Sequence, residues 1–295
     1  MLYLLYRLAG FLALHLPLPL AYFIARRIAD WRYYFIPRLR REIKANLKAA
    51  LKQREQLTGV LTDPRMVRIT VRKAYYQFAR YLTDFLRSPR LTKAMVQRLV
   101  IVENLHYLET ALAKKQGVIA LTAHVGNWEL AGIVTSLLGF PVAAIALPYK
   151  SKLVYRFFSR LRETHGVKVI LTGSNPKQLL RAIKNNQIIA VLGDRLFGEK
   201  GMPVYFLGQL TSLPRGPATL SVRTGAPMLP GFLLMEKNRY KLFFGPVFQP
   251  PEGLSDEEKI SWLTQAGAKK IEQIILSQPE QWLNFTRIRP EYNGE

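Results

Sequence analysis

His124 and Glu129, in the stretch LTAHVGNWEL at residues 121–130, are the side chains whose types and spacing suggest proton transfer. An imidazole can act as a general base near neutral pH. A carboxylate that accepts its Nδ1 proton fixes the tautomer and leaves the other nitrogen free. On a helix the i, i+5 spacing would part the two side chains, but across a strand–turn–helix junction the chain can fold back and bring the carboxylate onto the ring. Gly126 permits a tight turn, Asn127 is placed to cap the following helix, and Trp128 could wall a lipid pocket. The same residues also suit a plainer arrangement, a turn histidine bonded to backbone beside a solvated glutamate. A second polar group, Asp194 and Arg195 in GDRLFGEKG, follows another apolar run and reads equally as a site or an ion-paired loop. A third candidate is Arg162 in SRLRETHG, where several arginines share one helix.

Other chemistries find little support. The chain has no cysteine, which removes disulfides, thiolate catalysis and cysteine-ligated metal sites. It has only 4 histidines, and His15, His106 and His165 bear no evident relation to His124, so no metal site is expected. There is no G-x-S-x-G elbow, G-x-G-x-x-G turn, Walker A loop or H-E-x-x-H pair. A histidine base without an obvious protein nucleophile suggests attack by a hydroxyl of the substrate itself.

These residues need a scaffold, and the apolar runs supply one. VIALTA, PVAAIAL, VKVIL and QIIAVLG alternate with helical segments NWELAGIVTSLLG, SKLVYRFFSRLRETHG and SNPKQLLRAIKNN. Ser174 is the expected cap of the last helix, with Pro176 in its first turn. This alternation predicts an α/β fold with a mainly parallel or mixed central sheet flanked by helices. Ligands gather beyond the C-terminal ends of such strands, where His124 and Asp194 both fall. Further on, PRGPATLSVRTG reads as a short helix, PMLPGFLLM and RYKLFFGPVF as strands, and residues 255–277 as a closing helix. Residues 64–87 show an amphipathic helical period, and KAMVQRLVIVENLHYLETALAKKQG reads as one further helix closed by Gly117.

The N-terminal stretch MLYLLYRLAGFLALHLPLPLAYFI carries only Arg7 and His15 as side chains able to bear charge. It approaches the length needed to span a bilayer, so residues 1–25 are expected to form a membrane-anchoring helix, with Pro17 and Pro19 leaving a shallow insertion open. Residues 26–295 are then one α/β domain with an N-terminal helical layer. Residues 26–48 interleave eight basic residues with Trp31, Tyr33, Tyr34 and Phe35, as an interface with anionic membrane lipid favours. The positive-inside bias places the chain at the cytoplasmic membrane with its catalytic part on the cytoplasmic side. The whole chain has 43 Lys+Arg against 20 Asp+Glu, a formal net charge of +23, which calls for an anionic partner. Nucleic acid could use such a patch, but it would leave the apolar N-terminus unexplained, and no nucleic-acid partner is expected.

AHVGNWE resembles the H-x4-E motif of the bacterial lipid A biosynthesis acyltransferases, within the lysophospholipid acyltransferase-like superfamily. The likeness continues through Arg162 four residues before Gly166, through GDRLFGEKGMPVYFLGQLTSLPRGPATLSVRTGAPMLPGF, and through PEQWLNFTRIRP. It implies a glycerolipid acyltransferase-like fold. It also implies transfer of a fatty acyl group from an acyl-carrier protein or coenzyme A thioester to a hydroxyl of a glycolipid, lipid A precursor-like, with no cofactor besides the donor. A phosphatidylinositol mannoside, a lysophospholipid or another non-lipid-A acceptor is the alternative within this chemistry. A non-catalytic lipid-binding surface protein is the alternative outside it. By the resemblance, His124 is the base and Glu129 orients it. Arg162 binds anionic groups, Asp194 organises that site with Arg195 beside it, and amides near Gly126 or a nearby cation meet the oxyanion. The chain departs from the family pattern with Val125 for Phe or Leu, Arg195 for Gln and Asn284 for Trp. The latter two bear on the acceptor.

Overall fold

The computed structural model describes residues 1–173, 176–196 and 201–289. The expected cap Ser174 lies outside them, as do residues 197–200 of the GDRLFGEKG stretch. Four helices open the chain: α1 (Leu2–His15), α2 (Leu18–Phe35), α3 (Pro37–Thr58) and α4 (Pro64–Arg87). In α4 the side chain of Asp63 accepts from Met66 N at 2.6 Å, and Pro64 fills the first turn, where no amide donor is needed. Its three- and four-residue spacing predicts an inward face of Val67, Val71, Ala74, Phe78, Tyr81 and Phe85; all are buried except Phe78, which is half-buried.

Next come α5 (Lys93–Leu99), β1 (Val100–Glu103) and α6 (Leu105–Ala113). The single helix expected here is therefore interrupted by a strand. Its residues VIVE include β-branched side chains and pair in parallel with Tyr240–Phe243, while Asn104 turns left-handed at φ 56° and separates strand from helix. The alternating units follow as predicted: β2 (Val118–Thr122), α7 (Trp128–Leu137), β3 (Val142–Ala146), α8 (Lys152–Glu163), β4 (Lys168–Leu171), α9 (Pro176–Lys184) and β5 (Ile188–Leu192). A hairpin, β6 (Gly201–Phe206) with β7 (Gln209–Pro214), precedes α10 (Gly216–Thr224), β8 (Met228–Glu236), β9 (Arg239–Phe244) and α11 (Asp256–Ser277).

The sheet runs β1-β9-β8-β2-β5-β3-β4. Strands β8, β2, β5, β3 and β4 are mutually parallel, whereas β9 turns back antiparallel on β8 and β1 runs with β9. The sheet is therefore mixed. A two-residue link between β8 and β9 permits only antiparallel pairing, since a parallel return needs a long crossover. β2 lies in the middle with all five residues buried, which is why its sequence is apolar without alternation.

The N-terminal expectation is overturned. Among the described residues no helix is long and apolar enough to cross a membrane. The apolar stretch breaks at Leu16–Pro17 into α1 and α2, and α2 carries Arg26, Arg27, Asp30 and Arg32 along its second half. Proline removes a backbone donor and stops α1. Arg87 of α4 then donates from Nη1 to the carbonyls of Ala13 and, at 3.0 Å, Leu16, satisfying acceptors that a helix end leaves open. Gly10 and Ala13 are buried, and a side-chain carbon on Gly10 would meet the Phe157 ring of α8 at 3.2 Å. So α1 is folded back on the α/β body, and the predicted cytoplasmic-membrane placement through a membrane-anchoring helix falls with the same finding.

Replacing Arg87 with Ala removes the donor that closes α1. Hydrogen bonds to a charged group are each worth about 1.5–3 kcal/mol. The expected outcome in hydrogen–deuterium exchange is faster exchange across residues 2–15, with β2 and β8 still protected.

Candidate active site

β2 ends at Thr122 in the middle of the sheet, and the chain must turn at once to enter α7. Gly126 makes that turn at φ +65°, and a β-carbon there would lie 2.1 Å from the carbonyl oxygen of Leu233. No other residue fits. The turn is stitched on both sides. Asn127 N donates to Leu233 O at 2.9 Å, Gly126 N donates to Gln281 O at 2.9 Å, and Leu283 N donates to His124 O at 2.7 Å. Asn127 Oδ1 caps α7 by accepting from Leu130 N at 3.1 Å, as its sequence position predicts. Its Nδ2 donates to Tyr81 O at 3.3 Å and to Tyr240 Oη at 3.4 Å. Tyr240 in turn donates to the largely buried Asp84, tying α4 and β9 to the turn.

His124 emerges from this turn with its ring against the fully buried Asp194, which stands just past the end of β5. The Nδ1···Oδ1 distance is 2.8 Å, and His124 N also donates to Oδ1 at 3.0 Å. Trp282 Nε1 donates to Oδ2 at 2.9 Å, and Asn284 Nδ2 donates to the Asp194 carbonyl at 3.1 Å. Burial alone would push the Asp194 pKa up. The charge and hydrogen bonds of His124, with the Trp282 bond, outweigh it and hold the carboxyl below its usual range. An ionised carboxylate only accepts, so the proton of this bond sits on Nδ1, and in the neutral ring Nε2 carries the free lone pair.

The carboxylate on the ring is thus Asp194, not Glu129. Glu129, one residue into α7, points to α8 and forms a two-pronged pair with Arg162: Nε to Oε2 at 2.6 Å and Nη2 to Oε1 at 2.5 Å. Both side chains are largely buried. The i, i+5 spacing on its own gave no way to tell these two carboxylates apart. Burial works against the Arg162 charge, but the attraction of Glu129 prevails and its pKa is raised. Its guanidinium also lies 5.6 Å from the Phe85 ring centre, and Nη1 is buried without a hydrogen-bond partner.

Trp128 stands edge-on to His124 with centroids 5.0 Å apart and stacks on Tyr81 at 4.2 Å. The amides of Gly126 and Asn127, expected near an oxyanion, already donate to Gln281 and Leu233. Arg195 is half-buried and lines a cavity together with Asp194 and Asn284. Among the described residues no group of three His, Cys, Asp or Glu side chains could hold a metal ion.

Trp282, Gln281 and Asn284 were not read as site residues from the sequence, although PEQWLN contains them. Their signal was available: a buried Trp needs an acceptor for its N–H, and Trp282 is 1% exposed. Gln281 bonds both ways with Met235, donating to its carbonyl at 2.8 Å and accepting from its amide at 2.9 Å. These contacts fix the C-terminal strap, residues 278–289, against β8 and Asp194.

The family model for bacterial lipid A biosynthesis acyltransferases matches residues 1–288. The chain belongs to that family. It is therefore an acyltransferase related to glycolipid and phospholipid metabolism. A phosphatidylinositol mannoside acyltransferase of Mycolicibacterium smegmatis is 27% identical over 216 residues, which cover 72% of this chain and 69% of that protein. A phosphatidylinositol mannoside acyltransferase of Mycobacterium tuberculosis is 28% identical over 211 residues, covering 70% of this chain and 65% of that protein.

Because its folded pKa is depressed, ionised Asp194 contributes stability above the ordinary carboxylate range, about pH 3.9, and that contribution is lost as pH falls through the lower folded value. Asp194→Asn should therefore unfold more easily than the wild type at neutral pH. In urea titrations across about pH 3–7 the gap between the two proteins should narrow toward the acid end. A gap that stays constant would contradict the ionised assignment.

Proposed function

We propose that this acyltransferase moves a fatty acyl group from a thioester donor to a hydroxyl of a phosphorylated glycolipid, with His124 as the general base. The observation that carries this reading is the Trp282–Asp194–His124 chain, which fixes the imidazole and leaves Nε2 without a protein partner among the described residues. In the forward step Nε2 takes the proton of the acceptor hydroxyl while its oxygen attacks the thioester carbonyl carbon. Asp194 stabilises the imidazolium that results. As the tetrahedral intermediate collapses the C–S bond breaks, and the leaving thiolate takes the proton back from Nε2. The products are an ester and a free thiol.

Arg162 is the donor this reading assigns to the developing oxyanion or to an acceptor oxygen. Glu129 holds its Nε and Nη2 edge, whereas Nη1 lacks a partner, and buried donors of that kind are rare away from functional sites. Glu129 then positions Arg162 rather than the base. The donor is an acyl-carrier protein or coenzyme A thioester, both of which suit a chain of net charge +23. For the acceptor, we favour a phosphatidylinositol mannoside-type glycolipid over a lipid A precursor. Support comes from the two mycobacterial relatives and from Arg195 and Asn284, where the lipid A pattern has Gln and Trp. Asn284 donates to the Asp194 carbonyl, a bond that an indole in its place would have to replace.

The test is a comparison of total lipids, by mass spectrometry, from cells making the wild type or His124→Ala at equal protein levels. An acylated glycolipid should be present with the first and absent with the second. General-base removal is expected to cost about 10²–10⁴ in rate. Matching lipid profiles would leave a non-catalytic lipid-binding role as the better reading.

A further inference from the structure

Asp84, near the C-terminal end of α4, is a largely buried carboxylate that belongs to neither polar pair of the site. Side chains from three elements converge on it. Tyr22 of α2 donates to Oδ1 at 2.5 Å, and Tyr240, near the start of β9, donates to Oδ2. Arg80, one turn earlier on α4, brings Nε to 3.9 Å from Oδ2 and sets its guanidinium 5.3 Å from the centre of the Tyr22 ring. Burial raises the Asp84 pKa, while the two phenol bonds and the charges of Arg80 and Arg87 act against that rise.

The order of protons in this cluster reaches the turn that carries His124. A phenol has a single proton, so a Tyr240 hydroxyl that donates to Asp84 can only accept from Asn127. Asn127 Nδ2 supplies that bond at 3.4 Å together with its bond to Tyr81 O at 3.3 Å. Both partners on this side accept, which fixes the amide in the orientation that leaves Oδ1 on Leu130 N as the cap of α7. A carboxylate suits position 84 because it accepts from two sides at once. A carboxamide would turn an N–H toward one of the phenols.

Tyr22 adds α2 to this chain of bonds. Two side-chain clasps hold α2 on α4: Tyr22 on Asp84, and Tyr76 on Asp30 at 2.6 Å. The first shares its carboxylate with Tyr240 and so has a path to Asn127. The second ends at the surface, where Arg27 and Arg72 pair with Asp30. One helix is therefore held by two similar bonds with different connections behind them.

We propose that Asp84 is a positioning residue for acyl transfer, tying the seat of α2 through Tyr240 and Asn127 to the turn that aims His124. The proposal rests on the acyl-transfer reading of the site. Misplacing a catalytic group by about 1 Å can cost about 10² in rate. A loosened turn should therefore lower kcat and leave KM little changed.

The proteins to compare are the full-length wild type, Asp84→Asn, Tyr240→Phe, Tyr22→Phe, Tyr22→Phe/Tyr240→Phe, and Tyr76→Phe, which opens the second clasp alone. Turnover is read as thiol released from a palmitoyl thioester of coenzyme A or of acyl-carrier protein, with a phosphatidylinositol mannoside as acceptor. The chain has no cysteine, so it adds no thiol of its own to the signal. Per folded molecule, kcat should fall about tenfold or more in Asp84→Asn and Tyr240→Phe and about threefold or more in Tyr22→Phe, with KM within about twofold. Tyr76→Phe should keep the wild-type kcat. Because Tyr22 acts through Asp84 and Tyr240, the double variant should lose no more than Tyr240→Phe alone, whereas independent supports of the fold would multiply their losses. Amide exchange over residues 126–131 should quicken in Tyr22→Phe and not in Tyr76→Phe, a readout that needs no substrate. If Asp84→Asn does not fold, the phenylalanine variants, which each remove only hydroxyl groups, carry the test. The proposal is overturned by a wild-type kcat in Tyr240→Phe, by losses that multiply in the double variant, or by equal effects of Tyr22→Phe and Tyr76→Phe. A wild type that turns over neither thioester, while exchange over 126–131 still follows Tyr22, removes the acyl-transfer reading and leaves the coupling of α2 to the turn standing.

Discussion

The structure around the site depends on keeping one carboxylate ionised at zero exposure. Asp194 accepts from His124 twice and from Trp282 once, and those three donors come from two parts of the chain. A buried unpaired carboxylate would cost several kcal/mol, so each donor must be held in place. That requirement accounts for the tight Gly126 turn, which aims His124, and for the C-terminal strap, which aims Trp282. It also accounts for Asn46 and Gln281, whose side chains act as backbone-like clamps on the strap. The sheet contributes by setting β2 beside β5, with Thr122 opposite Leu192, so the two chain ends that carry His124 and Asp194 leave the sheet side by side.

Two ion pairs, not one, divide the polar work. His124–Asp194 leaves a free imidazole nitrogen, whereas Glu129–Arg162 leaves a free guanidinium N–H. The first suits proton transfer and the second suits an oxygen that gains charge. Trp128 sits in the sequence between His124 and Glu129 and in space beside His124 and Tyr81, so the first residue of α7 stands beside one pair and its second belongs to the other. The H-x4-E spacing is in this account the distance across that ring's attachment point, not the span of a direct contact.

Much of this was legible in the sequence, and what was not has physical reasons. The alternating apolar runs gave the parallel part of the sheet because strands buried on both faces cannot hide their composition. Gly126 and Asn127 were readable because turn geometry and helix capping each demand particular residues. The short strand at Val100–Glu103 was not, since four residues of mixed burial carry too little period to stand out from the flanking helices. The N-terminal helices misled because apolarity records burial of either kind. Pro17 and the charges of α2 mark the break, but the docking of α1 through Gly10, Ala13 and Arg87 is a tertiary fact. The exchange of Glu129 for Asp194 as the partner of the ring is of the same sort. Residues 70 apart meet through strand order, which local spacing does not encode.

The central claim is that Asp194 holds the Nδ1 proton of His124, and its most direct measurement is the tautomer of that ring. Proton–nitrogen correlation spectra of protein labelled with ¹⁵N-histidine distinguish the two neutral forms. The account predicts an Nδ1–H tautomer for His124 in the wild type and in Glu129→Gln, lost in Asp194→Asn. An Nε2–H tautomer in the wild type, or an Nδ1–H form that depends on Glu129 and not on Asp194, would contradict it.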